Sequence, residues 1–249
     1  MREAWAGWNG SAPAKPRGCL KAARCACGSV SRAMLQDVFP MKLLALSDLH
    51  ADEELLDRLH SLSSRKKYSA VLFCGDLTTR GPVSYAEEVL SLFQNSFAVF
   101  GNMDTPEVAE KISEMGKSVH ARKMKFGNWN LVGIGGSNPT PFSTPTEFSE
   151  LEIEAFLSSA QVDRNTILLT HSPPYGVFDL AGGKHAGSRS VRECIEKNRP
   201  LMAICGHIHE YEGQEVLGET LVVKLAPAEK LRAAEIEIGP EISVEFITL

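Results

Sequence analysis

Lys42-Leu43-Leu44-Ala45-Leu46-Ser47-Asp48-Leu49-His50 is an apolar run that stops at a carboxylate and an imidazole two residues apart. The run has no polar alternation, which predicts a strand covered on both faces, as in sheets built from βαβ units. Residues i and i+2 of an extended segment point the same way, so Asp48 and His50 are expected to converge on one point.

The same design recurs four times along the chain. Ala70-Val71-Leu72-Phe73-Cys74 leads to Gly75-Asp76, and Phe97-Ala98-Val99-Phe100 leads to Gly101-Asn102-Met103-Asp104. Thr166-Ile167-Leu168-Leu169-Thr170 leads to His171, and Leu201-Met202-Ala203-Ile204-Cys205 leads to Gly206-His207-Ile208-His209. In α/β folds ligands bind in the crevice at the carboxyl ends of the strands, so all five clusters are expected to gather at one edge. Asp48, His50, Asp76, Asn102, His171, His207 and His209 offer more oxygen and nitrogen donors than one ion ordinarily takes, and two ions sharing a carboxylate are the natural solution. Imidazole with carboxylate suits manganese, iron, zinc, cobalt or nickel better than calcium, with Mn²⁺ expected here.

The 249-residue chain, 43% hydrophobic, is long enough for one well-cored domain. Its six cysteines show no disulfide framework: Cys74 and Cys205 read as buried thiols, and Cys19, Cys25 and Cys27 have no fourth zinc ligand nearby. A reducing, cytoplasmic location is expected. Residues 1–40 differ from the rest. They are rich in Ala, Gly, Ser and Pro, carry six basic against two acidic residues, and show no periodic apolar pattern. They lack the apolar core of a signal peptide and the length of a membrane span, and read as a disordered or non-native extension before a single domain at 41–249. With the whole chain at −5, residues 41–249 carry about −9. A body this acidic is a poor binder of nucleic acid, and no membrane association is expected.

Helices are predicted where Leu55, Leu56, Leu59 and Leu62, then Tyr85, Val89, Leu90 and Phe93, then Phe148, Leu151, Ala155 and Phe156 fall at helical spacing. Thr105-Pro106-Glu107 opens another helix with Thr105 as cap, and Ser190-Val191-Arg192-Glu193 reads as a capping box. Residues 118–135 read as a hairpin turning at Gly127-Asn128, 137–147 as an irregular loop bordering the site, and 173–187 as a long Gly-rich loop. The C-terminal segment alternates as two strands about Gly239-Pro240.

Asp48-x-His50, Gly75-Asp76, Gly101-Asn102, His171 and Gly206-His207-x-His209, in that order and each after a strand, resemble the calcineurin-like metallophosphoesterase family across residues 43–209. The resemblance implies an α/β (α+β) fold, a four-layer αββα sandwich of two packed mixed β-sheets flanked by helices, with a dinuclear centre at one edge. It further implies that Asp48, His50, Asp76 and His209 hold one metal, and that Asp76, Asn102, His171 and His207 hold the other, Asp76 bridging. The implied reaction is in-line attack on phosphorus by a metal-bridging hydroxide, with Asp76, Asn102 and His171 as catalytic residues.

One position departs from the family pattern. Many members carry His after Gly-Asn, and that His assists the leaving group; here the residue is Met103, whose thioether has no proton to give at neutral pH. Family branches with a non-histidine residue there resemble phosphodiesterases, so a small phosphodiester is the expected substrate. Asp104 reads as a carboxylate at a helix terminus. His185 or Tyr175 could supply a proton from the long loop, although loop side chains mostly face solvent; His60 and His120 read as solvated and structural. Arg80, four residues after Asp76, matches the spacing of a phosphate-contacting Arg in the family's protein phosphatases, but Thr79 and Met103 break that motif. Arg80 and His185 are thus the candidate substrate contacts. The alternatives are a phosphomonoesterase, a nuclease, against which the acidic body argues, and a metal-free interaction scaffold, against which the intact donor set argues.

Overall fold

The computed structural model describes residues 40–249, so the expectations for residues 1–39 lie outside the described residues. The opening run forms β1 (Met41–Leu46), with Leu43 to Leu46 wholly buried. It pairs in parallel with β2 (Ala70–Cys74), which pairs in parallel with β3 (Ser96–Val99). On its other side β1 pairs antiparallel with β12 (Arg232–Ile238), and β12 with β13 (Ile242–Thr248), giving a mixed sheet ordered β13-β12-β1-β2-β3.

The second sheet has six strands. β4 (Lys123–Phe126) and β5 (Trp129–Ile134) form the hairpin expected around Gly127-Asn128. β5, β6 (Thr166–Thr170), β9 (Met202–Cys205) and β11 (Thr220–Lys224) run parallel, and β10 (Gly213–Leu217) lies antiparallel on the edge, giving the order β10-β11-β9-β6-β5-β4; β7 (Leu180–Ala181) and β8 (Lys184–His185) pair as a separate short hairpin in the Gly-rich loop.

Three apolar clusters set the layer order. Leu43, Leu72, Cys74, Val99, Leu131, Leu169, Ile204 and Val223 meet between the two sheets, so a continuous core joins them. The outer face of the first sheet packs on α1 (Glu53–Arg65), α2 (Val83–Ser91) and α3 (Pro106–Glu114) through residues such as Leu55, Leu59, Val89, Leu90, Val108 and Ile112. The outer face of the second packs on α4 (Glu150–Ser159) and α5 (Arg189–Asn198) through Ile153, Leu157, Val191 and Ile195. This is the expected α/β sandwich of two mixed sheets between helices. Because each strand is covered on both faces, the runs carry no polar alternation.

Local readings differ in three places. Leu151 is 78% exposed: α4 begins at Glu150, after Phe148, and the face it buries carries Ile153 and Leu157 instead. Ser149 and Glu152 form the capping box of α4, a pair the apolar spacing did not expose. α5 is capped by Ser188 rather than Ser190, and the Glu150 carboxylate accepts from Ser188 Oγ and from the amides of Arg189 and Ser190, so the capping carboxylate comes from another helix. Thr105 holds the cap position of α3 without a side-chain bond to the helix backbone. No helix among the described residues is long and apolar enough to cross a membrane.

Candidate metal centre

The loops that leave β1, β2, β3, β6 and β9 meet at one edge, and they are sewn together by backbone. The amides of Leu49 and His50 donate to the Asp76 carbonyl at 2.8 and 3.1 Å, and that of Gly206 donates to the His171 carbonyl at 3.0 Å. Asp48, His50, Asp76 and His207 all have positive φ, between 50° and 72°. This corrects the extended geometry expected for the two i, i+2 pairs: after β1 and β9 the chain turns through the left-handed region, and the side chains converge by turning. Non-glycine residues in that region cluster where a site over-determines them.

Two groups of donors result. Asp48, His50 and His209 present atoms all within 4.8 Å of one another, as do Asp48, Asp76 and His171. Within the first, His209 Nε2 lies 3.3 Å from Asp48 Oδ1, and His50 Nδ1 lies 3.0 Å from Thr79 Oγ1. In the second, His171 Nδ1 donates to the Cys74 carbonyl at 2.8 Å, which turns Nε2 towards Asn102 Oδ1 at 2.9 Å and Asp76 Oδ2 at 3.4 Å. Nε2, the amide oxygen and the carboxylate oxygen all bring lone pairs to one buried point, a donor set that a divalent cation satisfies. Asp48 belongs to both groups, whereas the sequence reading gave it to one. His207 belongs to neither; its ring centroid stands 4.9 Å from that of His171, and its backbone amide donates to Asp48 Oδ2 at 3.0 Å.

The electrostatics report the same congestion of charge. Burial opposes an imidazolium at His171, yet Asp76, Asp48 and the Cys74 carbonyl overcome it and raise its pKa to about 9. Burial also opposes ionisation of Asp48, but the hydrogen bond from His209 and the charges of His171, His209 and Lys224 hold its carboxyl well below the usual range. Burial and the neighbouring His171 push His207 down to about 3.

Close approach explains two of the preceding glycines. A Cβ on Gly101 would stand 2.0 Å from Asp76 Oδ1, and one on Gly206 would stand 1.8 Å from Ser47 Oγ and 2.6 Å from Asp48 Oδ2. Asp104 is fully buried: Oδ2 accepts from the amides of Leu77 and Gly101, and Oδ1 from the amide and hydroxyl of Thr78. It therefore clamps the loop bearing Asp76 to the loop bearing Asn102, instead of merely sitting at the end of α3. Burial and the Asp76 charge raise its pKa to about 7.

The two candidate substrate contacts lie on the periphery. Arg80 is exposed with φ of 62°, and its amide donates to the Met103 carbonyl at 2.9 Å, which sets it beside the Asn102 loop. His185 is exposed and held by the buried Asp179, with Nδ1 at 2.7 Å from Oδ1 and its ring 5.0 Å from that of Tyr175. His120 is structural: Nδ1 accepts from the Gly135 amide at 3.0 Å among Phe100, Phe148 and Phe156, and burial lowers its pKa to about 4. The sequence reading missed Ser47, Thr78, Thr79 and Lys224. Ser47, Thr78 and Lys224 are buried, Thr79 is exposed with its hydroxyl beside His50, and none carries a metal-ligand spacing that would single it out.

The sequence profile of calcineurin-like phosphoesterases matches residues 41–211. An uncharacterized protein of Methanocaldococcus jannaschii is 34% identical over 198 residues, which cover 75% of this chain and 88% of that protein. A Thermus thermophilus protein of solved structure superposes with a TM-score of 0.66 at 19% identity, covering 83% of this chain and 99% of its own. A dimetal phosphatase from Danio rerio superposes with a TM-score of 0.54 at 12% identity, covering 84% and 98%. At such identities the two structures speak to the fold.

Proposed function

Since this chain belongs to the calcineurin-like phosphoesterase family, we propose that it is a dinuclear metal-dependent phosphodiesterase acting on a small diester, with residues 41–249 as one domain. In this reading Asp48, His50, Asp76 and His209 hold one cation, and Asp76, Asn102, His171 and His207 hold the other. Manganese, iron, zinc, cobalt and nickel all suit mixed oxygen and imidazole donors, and Mn²⁺ is the ion we assign. When bound, the two cations lower the pKa of water and neutralise charge on the phosphoryl oxygens.

The protein's own part is placement. The Met103 amide, 2.7 Å from Asp76 Oδ1, fixes that carboxylate, and the Cys74 carbonyl orients His171. The His207 amide fixes Asp48 Oδ2. Arg80, exposed beside the Asn102 loop, is the residue we assign to a substrate phosphoryl oxygen; its planar guanidinium suits that geometry.

Met103 carries the choice of a diester. It stands directly after Asn102, at the position where many family members carry the His that assists the leaving group, and its amide donates to the proposed bridging carboxylate. A thioether cannot protonate. A diester with a good or self-stabilised leaving group needs that proton less than a monoester with an alkoxide leaving group.

The test is hydrolysis of bis-p-nitrophenyl phosphate beside p-nitrophenyl phosphate after chelation and restoration with Mn²⁺, with Asp76→Asn as control. Metal-dependent turnover of the diester that is lost in the variant is the expected result. Preference for the monoester overturns the reading of Met103 and directs attention to His185. Bound metal without turnover of either substrate points to a narrow substrate that the test compounds do not mimic.

A further inference from the structure

The Gly-rich loop begins at Pro173, two residues past His171, and ends at the cap of α5, so it stands at the edge where the donors gather. Backbone closes it: Tyr175 donates to the Ser188 carbonyl and Ser188 to that of Pro173, both at 2.9 Å. Neighbouring loops flank it. Asn138 Nδ2 donates to the Ala186 carbonyl at 3.1 Å, and just before Asn138 the Gly136 amide donates to the carbonyl of Phe100, which precedes Gly101-Asn102. On the other flank the Phe178 ring stands 6.3 Å from that of Tyr211, which follows His209 and Glu210. The loop thus spans the rim from the Asn102 side to the His209 side, and what it presents lies beside the centre.

Asp179, buried in the middle of the loop, organises it. Oδ2 accepts from the amides of Gly176 and Gly187 at 2.9 and 3.1 Å, which ties the two arms together. Oδ1 accepts from Nδ1 of His185 at 2.7 Å. That third bond is not needed for closure, since the arms are already joined, and a pair whose imidazole is 43% exposed is worth little to stability. What it does is hold an exposed ring in one orientation, so that a ligand packing there need not freeze it. Other groups of the same kind stand around this ring. Tyr175 lies 5.0 Å away with its plane tilted by 44°, and Leu180, paired with His185 across the β7–β8 hairpin, is an exposed apolar side chain. The Arg189 guanidinium lies 4.0 Å over the Tyr175 ring, which leaves His185 as the more open ring of the two.

We infer that His185, with Tyr175 and Leu180 beside it, is the platform on which an aromatic ester group of the substrate packs. The inference rests on the phosphoesterase reading above and deepens it by naming a substrate class, a phosphodiester with at least one planar aromatic group. A flat group gains twice at such a place. It covers apolar area on Leu180, as an alkyl group of equal size would, and it also pairs with the His185 ring through the offset or tilted contact that aromatic rings prefer. The phosphoryl group itself is left to the centre and Arg80, so the loop sets which diester is taken rather than whether phosphate is bound.

The experiment uses the full chain loaded with Mn²⁺ and compares phenylphosphonate with methylphosphonate by calorimetry. Neither has a bond the enzyme hydrolyses, so the readout needs no turnover. The wild type is expected to bind phenylphosphonate about fivefold more tightly, the order that one aromatic pair supplies. His185→Ala should bring the two dissociation constants together. His185→Phe, which keeps a ring and gives up the bond to Asp179, should retain most of the preference. His185 is exposed, so both variants are expected to fold. A wild type that binds the two phosphonates equally, a preference that survives His185→Ala, or one that His185→Phe loses as fully as His185→Ala overturns the inference and leaves the phosphoesterase reading standing. A wild type that binds neither phosphonate removes that reading, and this inference with it.

Discussion

Asp104→Asn isolates the clamp between the loops that carry Asp76 and Asn102. The carboxylate accepts four bonds, at 3.1 and 2.8 Å on Oδ2 from Leu77 and Gly101, and at 2.8 and 2.9 Å on Oδ1 from the amide and hydroxyl of Thr78. Asparagine keeps the shape but has one acceptor. If its NH₂ takes the Oδ1 place, the Thr78 hydroxyl can turn to accept, and the Thr78 amide is left facing a donor. In the other orientation two amides are stranded. The cheaper choice strands one buried N–H, at about 1–3 kcal/mol. For a folded body of this size that corresponds to a fall in Tm of about 2–12 °C. Mn²⁺ affinity should fall within the 10–100-fold that loss of a partner supporting the ligands costs, because both loops carry expected ligands. The assay is thermal unfolding with and without Mn²⁺, beside calorimetric titration of the metal. An unchanged or raised Tm refutes the reasoning: it would mean that the repulsion between Asp104 and Asp76, which with burial lifts the Asp104 pKa to about 7, outweighs the bonds the carboxylate accepts.

In the metal-free protein His171 titrates near 9 against an ordinary 6.5, so its share of stability is complete below pH 6.5 and is lost as pH rises through 9. Mn²⁺ must displace that proton, so calorimetry at pH 7.5 in buffers of different ionisation enthalpy should show about one proton released, and His171→Ala should abolish the release. His120 is depressed to about 4, so its contribution is present above pH 6.5 and is lost as pH falls towards 4; His120→Gln should flatten the acid limb of a Tm against pH curve over that window. A Cβ at Gly206 would overlap Ser47 Oγ and crowd Asp48, so Gly206→Ala should cost more than the 1–3 kcal/mol typical of overpacking and abolish Mn²⁺ binding, whereas Gly239→Ala, whose Cβ meets its nearest atom at 3.9 Å, should leave denaturant midpoint and binding unchanged.

The strands were legible because burial on both faces writes itself as uninterrupted apolar runs: Leu43 to Leu46, Ala70 to Cys74 and Thr166 to Thr170 need no partner to be read. That Asp48, His50, Asp76, Asn102, His171 and His209 gather at one edge was legible for a related reason, since a carboxylate, amide or imidazole directly after a buried strand is costly to desolvate unless something binds it. Sheet order was not, because the pairing of β1 with β12 joins residues nearly two hundred positions apart, and nothing local to Leu43 names Ile236. Leu151 misled because a 3.6-residue period counts apolar residues without knowing where the helix starts. Residues that hold the ligands were the least legible of all. Asp104 looks like any acidic residue before a helix, and Lys224 like any lysine ending a strand, until the fold buries them.

That difference has a structural cause, visible in how the expected ligands are fixed. The Asp48 carboxylate is held by the amide of His207 from the β9 loop, and Asp76 by the amide of Met103 from the β3 loop. His171, from β6, is held by the carbonyl of Cys74 at the end of β2. Each of these expected ligands is thus oriented by the backbone of a different loop, and a backbone amide or carbonyl leaves no mark in the residue type that carries it. This arrangement also places the left-handed turns at Asp48, Asp76 and His207 where neighbouring loops enforce them. Orientation by backbone costs no side-chain entropy and tolerates little movement, so the donors stand assembled before any cation arrives. Loosening one loop should accordingly disturb ligands on the next, which is why Asp104→Asn, a change to a residue with no assigned part in metal binding, is expected to lower Mn²⁺ affinity together with stability.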